Sequence, residues 1–285
     1  MIYKTICRDG INTQIPASQT DIKLSVYARE VSEEIRMPGP RGAVLVLPGG
    51  GYKMTTFREG EPVALAFLAA GYQAFVLNYS VTPAVYPQAL LEASAAIDYI
   101  RRNAAGYNVD PNRVAVCGFS AGGHLAGSLG NLWSEPFIAE TLGIGCGSNR
   151  PDAAIIGYGA MTMGEKGHWS LRDILLNGMD PGSYPMLSLE NSVNEKNPPA
   201  FIWQTLEDTG TVLENSTYYA TALHEKNIPF ELHIFHGGPH GMVLANMDTA
   251  DNPKQLSPRI AKWFELCTAW LEYVYDSRGP GRAGS

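Results

Sequence analysis

The sequence predicts an α/β fold: a mostly parallel central sheet with helices on both faces and an antiparallel N-terminal edge. Three observations predict it. Continuous apolar runs recur at residues 43–47, 74–77, 114–117, 153–156, 200–203 and 230–235, as strands buried on both faces require. Stretches of helical character separate these runs, and strand alternating with helix means parallel pairing. The segment before residue 43 has a different pattern, polar and apolar in alternation, which suits antiparallel strands with one wet face.

Along the chain, Asp9-Gly10 sits between two short alternating runs and reads as a hairpin turn. Ile22, Leu24, Val26 and Ala28 alternate with polar residues and form a half-exposed strand. After the run at 43–47 comes a helix at 61–69. After 74–77 comes a helix at 87–104, with Leu90, Ala93, Ile97 and Ile100 on one face and Pro87 at the permitted start. The run at 114–117 leads into a helix at 124–132. Residues 158–199, rich in Gly, Pro, Asn and Met, break the rhythm as a lid-like insertion expected to cover a site. Helices at 215–226 and 258–273 flank the last strand. Residues 1–278 read as a single domain and 279–285 as a loose tail.

Composition narrows the function. The chain has 285 residues and a formal charge of −7 with no basic run, which disfavours nucleic acid and anionic membranes. Only 17% of residues are charged and 45% are hydrophobic, which excludes disorder. The apolar stretch at 63–77 is broken by Gly71 and Gln73 and is too short to span a bilayer. Cys7, Cys117, Cys146 and Cys267 are scattered, with no zinc spacing, so reduced thiols and no metal are expected. The first ten residues lack an apolar signal core, and a cytoplasmic location is the expectation.

Gly118-Phe119-Ser120-Ala121-Gly122 fits the G-x-S-x-G pattern between a buried strand and a helix, a nucleophile elbow that lifts Ser120 above the sheet at the positive end of a helix. A serine needs a base. His124 lies on the helix and reads as packing or capping, His224 is on a far helix, and His233 alternates within its strand. His240, in the loop Gly237-Gly-Pro-His-Gly241, is the first choice, with His236 as the alternative. The acid belongs after the strand at 200–205, where Asp208 is the first choice and Glu207 the second. Pro48-Gly-Gly-Gly-Tyr52 follows a buried strand, and the N–H groups of Gly50, Gly51 and Ala121 form a candidate oxyanion hole. Tyr52, Phe119, Trp133, His168 and Trp169, and also Met161, are candidate contacts for substrate in an aromatic-lined alcohol site.

These motifs, with Glu59-Gly-Glu-Pro62, Gly71-Tyr72, Asp110-Pro111 and Glu214-Asn-Ser216, resemble the α/β-hydrolase superfamily. Within it they are similar to the bacterial acetyl-xylan-esterase-like carbohydrate esterases. The resemblance runs from about residue 40 to 270. It implies the α/β-hydrolase fold, with Ser120 as nucleophile, Asp208 as acid and His240 as base, and no cofactor. There are departures. Pro48 stands where lipase-like relatives carry His, Gln204-Thr205 replaces a His-Thr pair, Thr211-Val212 replaces a Val-Pro pair, and Ser80 replaces an Arg.

The implied activity is a serine esterase removing small acyl groups, acetyl first, from sugars or xylo-oligosaccharides. The alternatives are a formamidase or small-peptide or amide hydrolase of the same fold, and a non-catalytic binding module. The expected partner is a small acyl ester, and the chain is compatible with an oligomer.

Overall fold

The structure is a computed structural model that describes residues 1–32, 34, 39–167, 169–177 and 180–277. Strands β1 (Ile2–Cys7) and β2 (Lys23–Ala28) flank the short helix α1 (Arg8–Ile11). The rest alternates: β3 (Arg41–Leu47), α2 (Glu61–Ala69), β4 (Gln73–Asn78), α3 (Gln88–Arg102), β5 (Val109–Phe119), α4 (Ala121–Leu132) and α5 (Pro136–Leu142). Then follow β6 (Ala153–Gly157), α6 (Trp169–Leu175), β7 (Ala200–Thr205), α7 (Glu214–Glu225), β8 (Phe230–Phe235) and α8 (Lys262–Ser277).

One eight-stranded sheet runs in the order β1-β2-β4-β3-β5-β6-β7-β8. β1 pairs with β2, and β2 with β4, in antiparallel fashion; every pair from β4 to β8 is parallel. The apolar runs sit where their composition requires. In β3, Leu45 and Leu47 point into a core with Ile97, Ile100 and Leu125 of α3 and α4. Val44 and Val46 point the other way, toward Val63 and Phe67 of α2 and Trp263 and Leu271 of α8. A third cluster packs Tyr219 and Leu223 of α7 against Ile156 and Ile202. Each alternate side chain of a central strand is therefore buried on one face or the other, the condition that makes the run continuous rather than alternating.

Two expectations need correction. Asp9-Gly10 is not a hairpin turn. It lies in α1, whose Ile11 is buried in the core, and β1 reaches β2 through a connection of 15 residues, 8–22. The last helix begins at Lys262, since 258–261 form turns that bury Ile260 and bring Trp263 inward. The insertion is only partly a cover. Of its described residues, Ala160 and Leu171 line a cleft that Ser120 and His240 also line, while Leu187 and Leu189 are buried and bonded to α4 through His124 and Asn131.

Candidate active site

β5 ends and α4 begins within one residue, and that residue is Ser120. Its backbone has φ +53° and ψ −118°, a conformation that costs free energy in a non-glycine residue and places its side chain at the helix N-terminus. The turn closes only because glycines flank it. A Cβ at Gly118 would collide with the Gly122 carbonyl, and one at Gly122 would collide with the Leu47 carbonyl of β3. The Ser120 N–H donates to Gly157 O at 3.1 Å, so the elbow is anchored to β6 as well.

The loops after β7 and β8 converge on this serine. His240 Nε2 lies 2.9 Å from Ser120 Oγ, and His240 Nδ1 lies 2.8 Å from Asp208 Oδ2. With Nδ1–H donating to the carboxylate, Nε2 is left to accept from the serine hydroxyl. The Asp208 side chain is fully buried. Its Oδ1 accepts the N–H groups of Gly210 and Thr211 at 2.7 and 2.9 Å, and its Oδ2 also accepts the Thr211 hydroxyl at 3.1 Å. Gln204 donates its amide to Thr211 O. Two of the departures from the family pattern, Gln204 and Thr211, therefore work as a pair that orients the carboxylate. Gly210 lies flat against the imidazole, since a Cβ there would meet His240 Cγ at 2.8 Å, and the Tyr158 ring packs edge-on at 5.1 Å.

The competing candidates lie elsewhere. His236 and Glu207 are both exposed and face each other, with His236 Nε2 3.9 Å from Glu207 Oε1. His233 pairs with Glu231 and lies over Phe201. His124 is buried: Nε2 meets Leu187 O at 2.9 Å, which leaves Nδ1 to accept the Tyr52 hydroxyl at 3.0 Å. Burial holds His124 down to about 4, so it stays neutral at neutral pH.

The glycine loop after β3 faces the serine from the other side. Among the described residues, no acceptor is bonded to the N–H of Gly50, Gly51 or Ala121. Gly49 is different, because its N–H is taken by Glu59 Oε2 at 2.8 Å. Glu59 is a buried acid beneath the loop. The Thr56 hydroxyl donates to the same oxygen at 2.6 Å, and the Tyr158 hydroxyl donates to Oε1 at 2.8 Å. One carboxyl group thus joins the glycine loop to the ring beside His240. The sequence reading passed over Glu59, although it stands in the quoted Glu59-Gly-Glu-Pro62 stretch. The Tyr79 hydroxyl adds a further anchor, donating to Pro48 O at 2.6 Å.

A cleft of about 380 Å³ opens over these groups, with Ser120, His240, Gly50 and Gly51 in its lining. Of the aromatic contacts expected from the sequence, Phe119, Tyr52 and Trp133 do not line this cleft. Phe119 is fully buried against Tyr158 and Trp263, since the strand's alternation turns it away from Ser120's side. Tyr52 is buried against Tyr79 and His124, behind the cleft. Trp133 closes the far end of α4, about 20 Å from Ser120 at the usual helical rise, and donates to Lys196 O. Met161 is buried against Leu189 and Gly127. His168 lies outside the described residues, and Trp169 begins α6. The lining is instead polar on one flank, with Arg58, Asp251 and Gln255.

Among the described residues no cluster of His, Cys, Asp or Glu has the arrangement of a metal site, and no helix is long and apolar enough to cross a membrane. The four cysteines are free thiols.

Comparison with known proteins agrees with this architecture. The BD-FAE family profile matches residues 35–223. Endo-1,4-beta-xylanase B of Butyrivibrio fibrisolvens is 40% identical over 216 residues, which are 72% of this chain and 33% of that protein. An acetylxylan esterase of Xylanibacter ruminicola is 29% identical over 210 residues, 71% of this chain and 41% of that protein. The chain thus spans less than half the length of these two relatives. The crystal structure of an acetyl ester-xyloside bifunctional hydrolase from Caldicellulosiruptor lactoaceticus superposes with a TM-score of 0.77 at 35% identity, covering 90% of each chain. With its family profile matched over most of its length and its parallel sheet, elbow and converging loops in place, the chain belongs to the BD-FAE family of α/β-hydrolases.

Proposed function

We propose that the chain is a serine carboxylic-ester hydrolase that removes small acyl groups, acetyl first, from sugars or xylo-oligosaccharides. One observation carries the chemistry. Ser120, His240 and Asp208 form a continuous relay at 2.9 and 2.8 Å, opening into a cleft that Gly50 and Gly51 line; among the described residues the N–H groups of these glycines and of Ala121, next to Ser120, have no acceptor. The substrate class draws support from the relatives whose names record acetylxylan esterase and acetyl ester-xyloside hydrolase.

In this reading Ser120 Oγ attacks the acyl carbon as His240 Nε2 takes its proton. The carbonyl oxygen gains charge against the N–H groups of Gly50, Gly51 and Ala121. The imidazolium, held by Asp208, then protonates the leaving alcohol oxygen as the ester bond breaks. Water then attacks the acyl carbon as His240 Nε2 takes its proton, and the bond to Ser120 Oγ breaks as that proton passes to Oγ, releasing the acid and restoring the free serine. Neither a metal nor an organic cofactor has a step in this sequence. The complete relay also speaks against a binding module that has lost its chemistry.

Acetate release from acetylated xylo-oligosaccharides, measured beside fluorophosphonate labelling, tests the proposal. Ser120→Ala is expected to lower kcat by about 10⁴- to 10⁶-fold and to abolish labelling while leaving the fold intact. Label on any other residue, or retention of more than a few per cent of turnover, overturns it.

A further inference from the structure

The polar flank of the cleft is built, and it lies on the side of the base. Arg58 donates one guanidinium nitrogen to Gly241 O, next to His240, and its Nη1 lies 3.2 Å from Asp251 Oδ2. Gln255 donates to Gly241 O at 3.1 Å, and its own Oε1 accepts the Asp251 N–H at 3.0 Å. Asn252 donates to Asp251 Oδ1. The loop between His240 and α8 is thus cross-braced so that Asp251, 63% exposed at its side chain, stands over the cleft beside a mostly covered guanidinium. Arg58 Nε is buried with no hydrogen-bond partner.

Position gives this flank a meaning. The imidazolium delivers its proton to the leaving oxygen, so whatever lies beyond His240 faces the alcohol half of the ester. An alkyl or aryl alcohol offers nothing to a carboxylate and a guanidinium, and covering them without new hydrogen bonds is costly. A sugar hydroxyl both donates and accepts, so adjacent hydroxyls can meet Asp251 and Arg58 together. The opposing signs of the pair leave no net charge to attract an ionic group.

We infer that Arg58 and Asp251, braced by Gln255, form the subsite for the leaving alcohol and select one that carries a free hydroxyl beside the acylated position, as in a partly acetylated sugar. This rests on the reading of Ser120 and His240 given above. Recognition here is by charged hydrogen bonding on the His240 flank.

The experiment compares the parent chain with Asp251→Asn and Asp251→Ala on two substrates, p-nitrophenyl acetate and partly acetylated xylotriose. Asp251 is exposed, so neither change threatens the fold. Hydrogen bonds to a charged group support a loss of about 10- to 100-fold in the ratio of kcat/KM for the sugar to that for the aryl ester, carried mainly by KM. A ratio within twofold of the parent's, whether both rates fall or neither does, overturns the subsite. Fluorophosphonate labelling of the same samples separates the two failures. An unchanged ratio with Ser120 labelled removes the subsite alone, whereas a parent that leaves Ser120 unlabelled removes the catalytic reading beneath it as well.

Discussion

Replacing Glu59 with Gln tests whether the glycine loop is held in register by the buried carboxyl group beneath it. Three donors meet its two oxygens: Gly49 N–H, the Thr56 hydroxyl and the Tyr158 hydroxyl. Glutamine keeps one acceptor oxygen and puts an NH₂ group where the other stood, so at least one of these buried donors faces another donor. An unsatisfied buried group costs about 1–3 kcal/mol, and two affected donors give about 2–6 kcal/mol. In a domain of this size each kcal/mol moves Tm by about 2–4 °C, so a drop on the order of 4–24 °C is expected.

Catalysis suffers by a separate route. Release of Gly49 shifts the neighbouring Gly50 and Gly51, whose φ values of +129° and +64° mark a loop with little freedom to re-form. Outright loss of one oxyanion donor costs about 10²- to 10³-fold in kcat, so a displaced pair should cost about 10- to 100-fold. Because those donors act on charge that develops in the transition state, KM should change little. Steady-state kinetics on an aryl acetate together with a thermal melt decide the matter. A lower Tm with kcat within twofold of the parent's refutes the positioning argument and leaves Glu59 a structural residue; unchanged Tm and kcat refute the hydrogen-bond assignment itself.

Other expectations follow from the same geometry. Asp208→Asn should lower kcat by about 10³- to 10⁴-fold through the wrong imidazole tautomer, whereas Glu207→Gln, on the surface opposite His236, should cost less than about tenfold; the reverse order moves the acid to Glu207. Stability should fall by about 3 kcal/mol as pH drops from 6.5 to 4, because the unfolded chain protonates His124 in that window while burial keeps the folded ring neutral down to about 4. Thermal melts across that range should show a flatter profile for His124→Gln, and equal slopes in parent and variant would remove His124 as the cause. On p-nitrophenyl esters acetyl should exceed butyryl and octanoyl should be nearly inert, since each methylene that does not fit costs about 10- to 200-fold in kcat/KM; a rate rising with chain length would contradict a small acyl site.

The parallel core was legible because burial on both faces leaves a signal within five or six residues, and β3 to β7 each carry one; the run at 230–235, expected to be buried on both faces, is the edge strand β8, which buries none of its side chains. The elbow was legible for a similar local reason: backbone collisions at Gly118 and Gly122 forbid any side chain, so the constraint appears as glycine at fixed spacing. The placement of His240 and Asp208 followed from chain order, each in the loop after a strand whose C-terminal end faces the same way. The hairpin at Asp9-Gly10 misled because a turn dipeptide describes local geometry only, while the core's demand for Ile11 decided the segment. Phe119 and Tyr52 misled for a related reason. Neighbours of site residues along a strand or strained turn point away from the site.

What escaped the sequence reading acts across long separations. Glu59 meets Tyr158 from 99 residues away, and Arg58 reaches Gly241 across 183. Neither contact leaves a periodicity, a spacing or a cap in the sequence, and each residue taken alone reads as a solvated charge near a helix start. In the sequence Gln204 and Thr211 are two separate departures from the family pattern, but they make sense only as a pair bonded to each other around Asp208. The loop bearing Asp251 carries no motif in the sequence for the same reason. Its Asn and Gln side chains brace the loop itself, and Asp251, left lining the cleft, gains its meaning from Arg58, which stands nearly two hundred residues earlier in the chain. Charged groups that serve chemistry are therefore found by where the fold brings their partners. Apolar groups announce their partners in advance, because every one of them seeks the same thing.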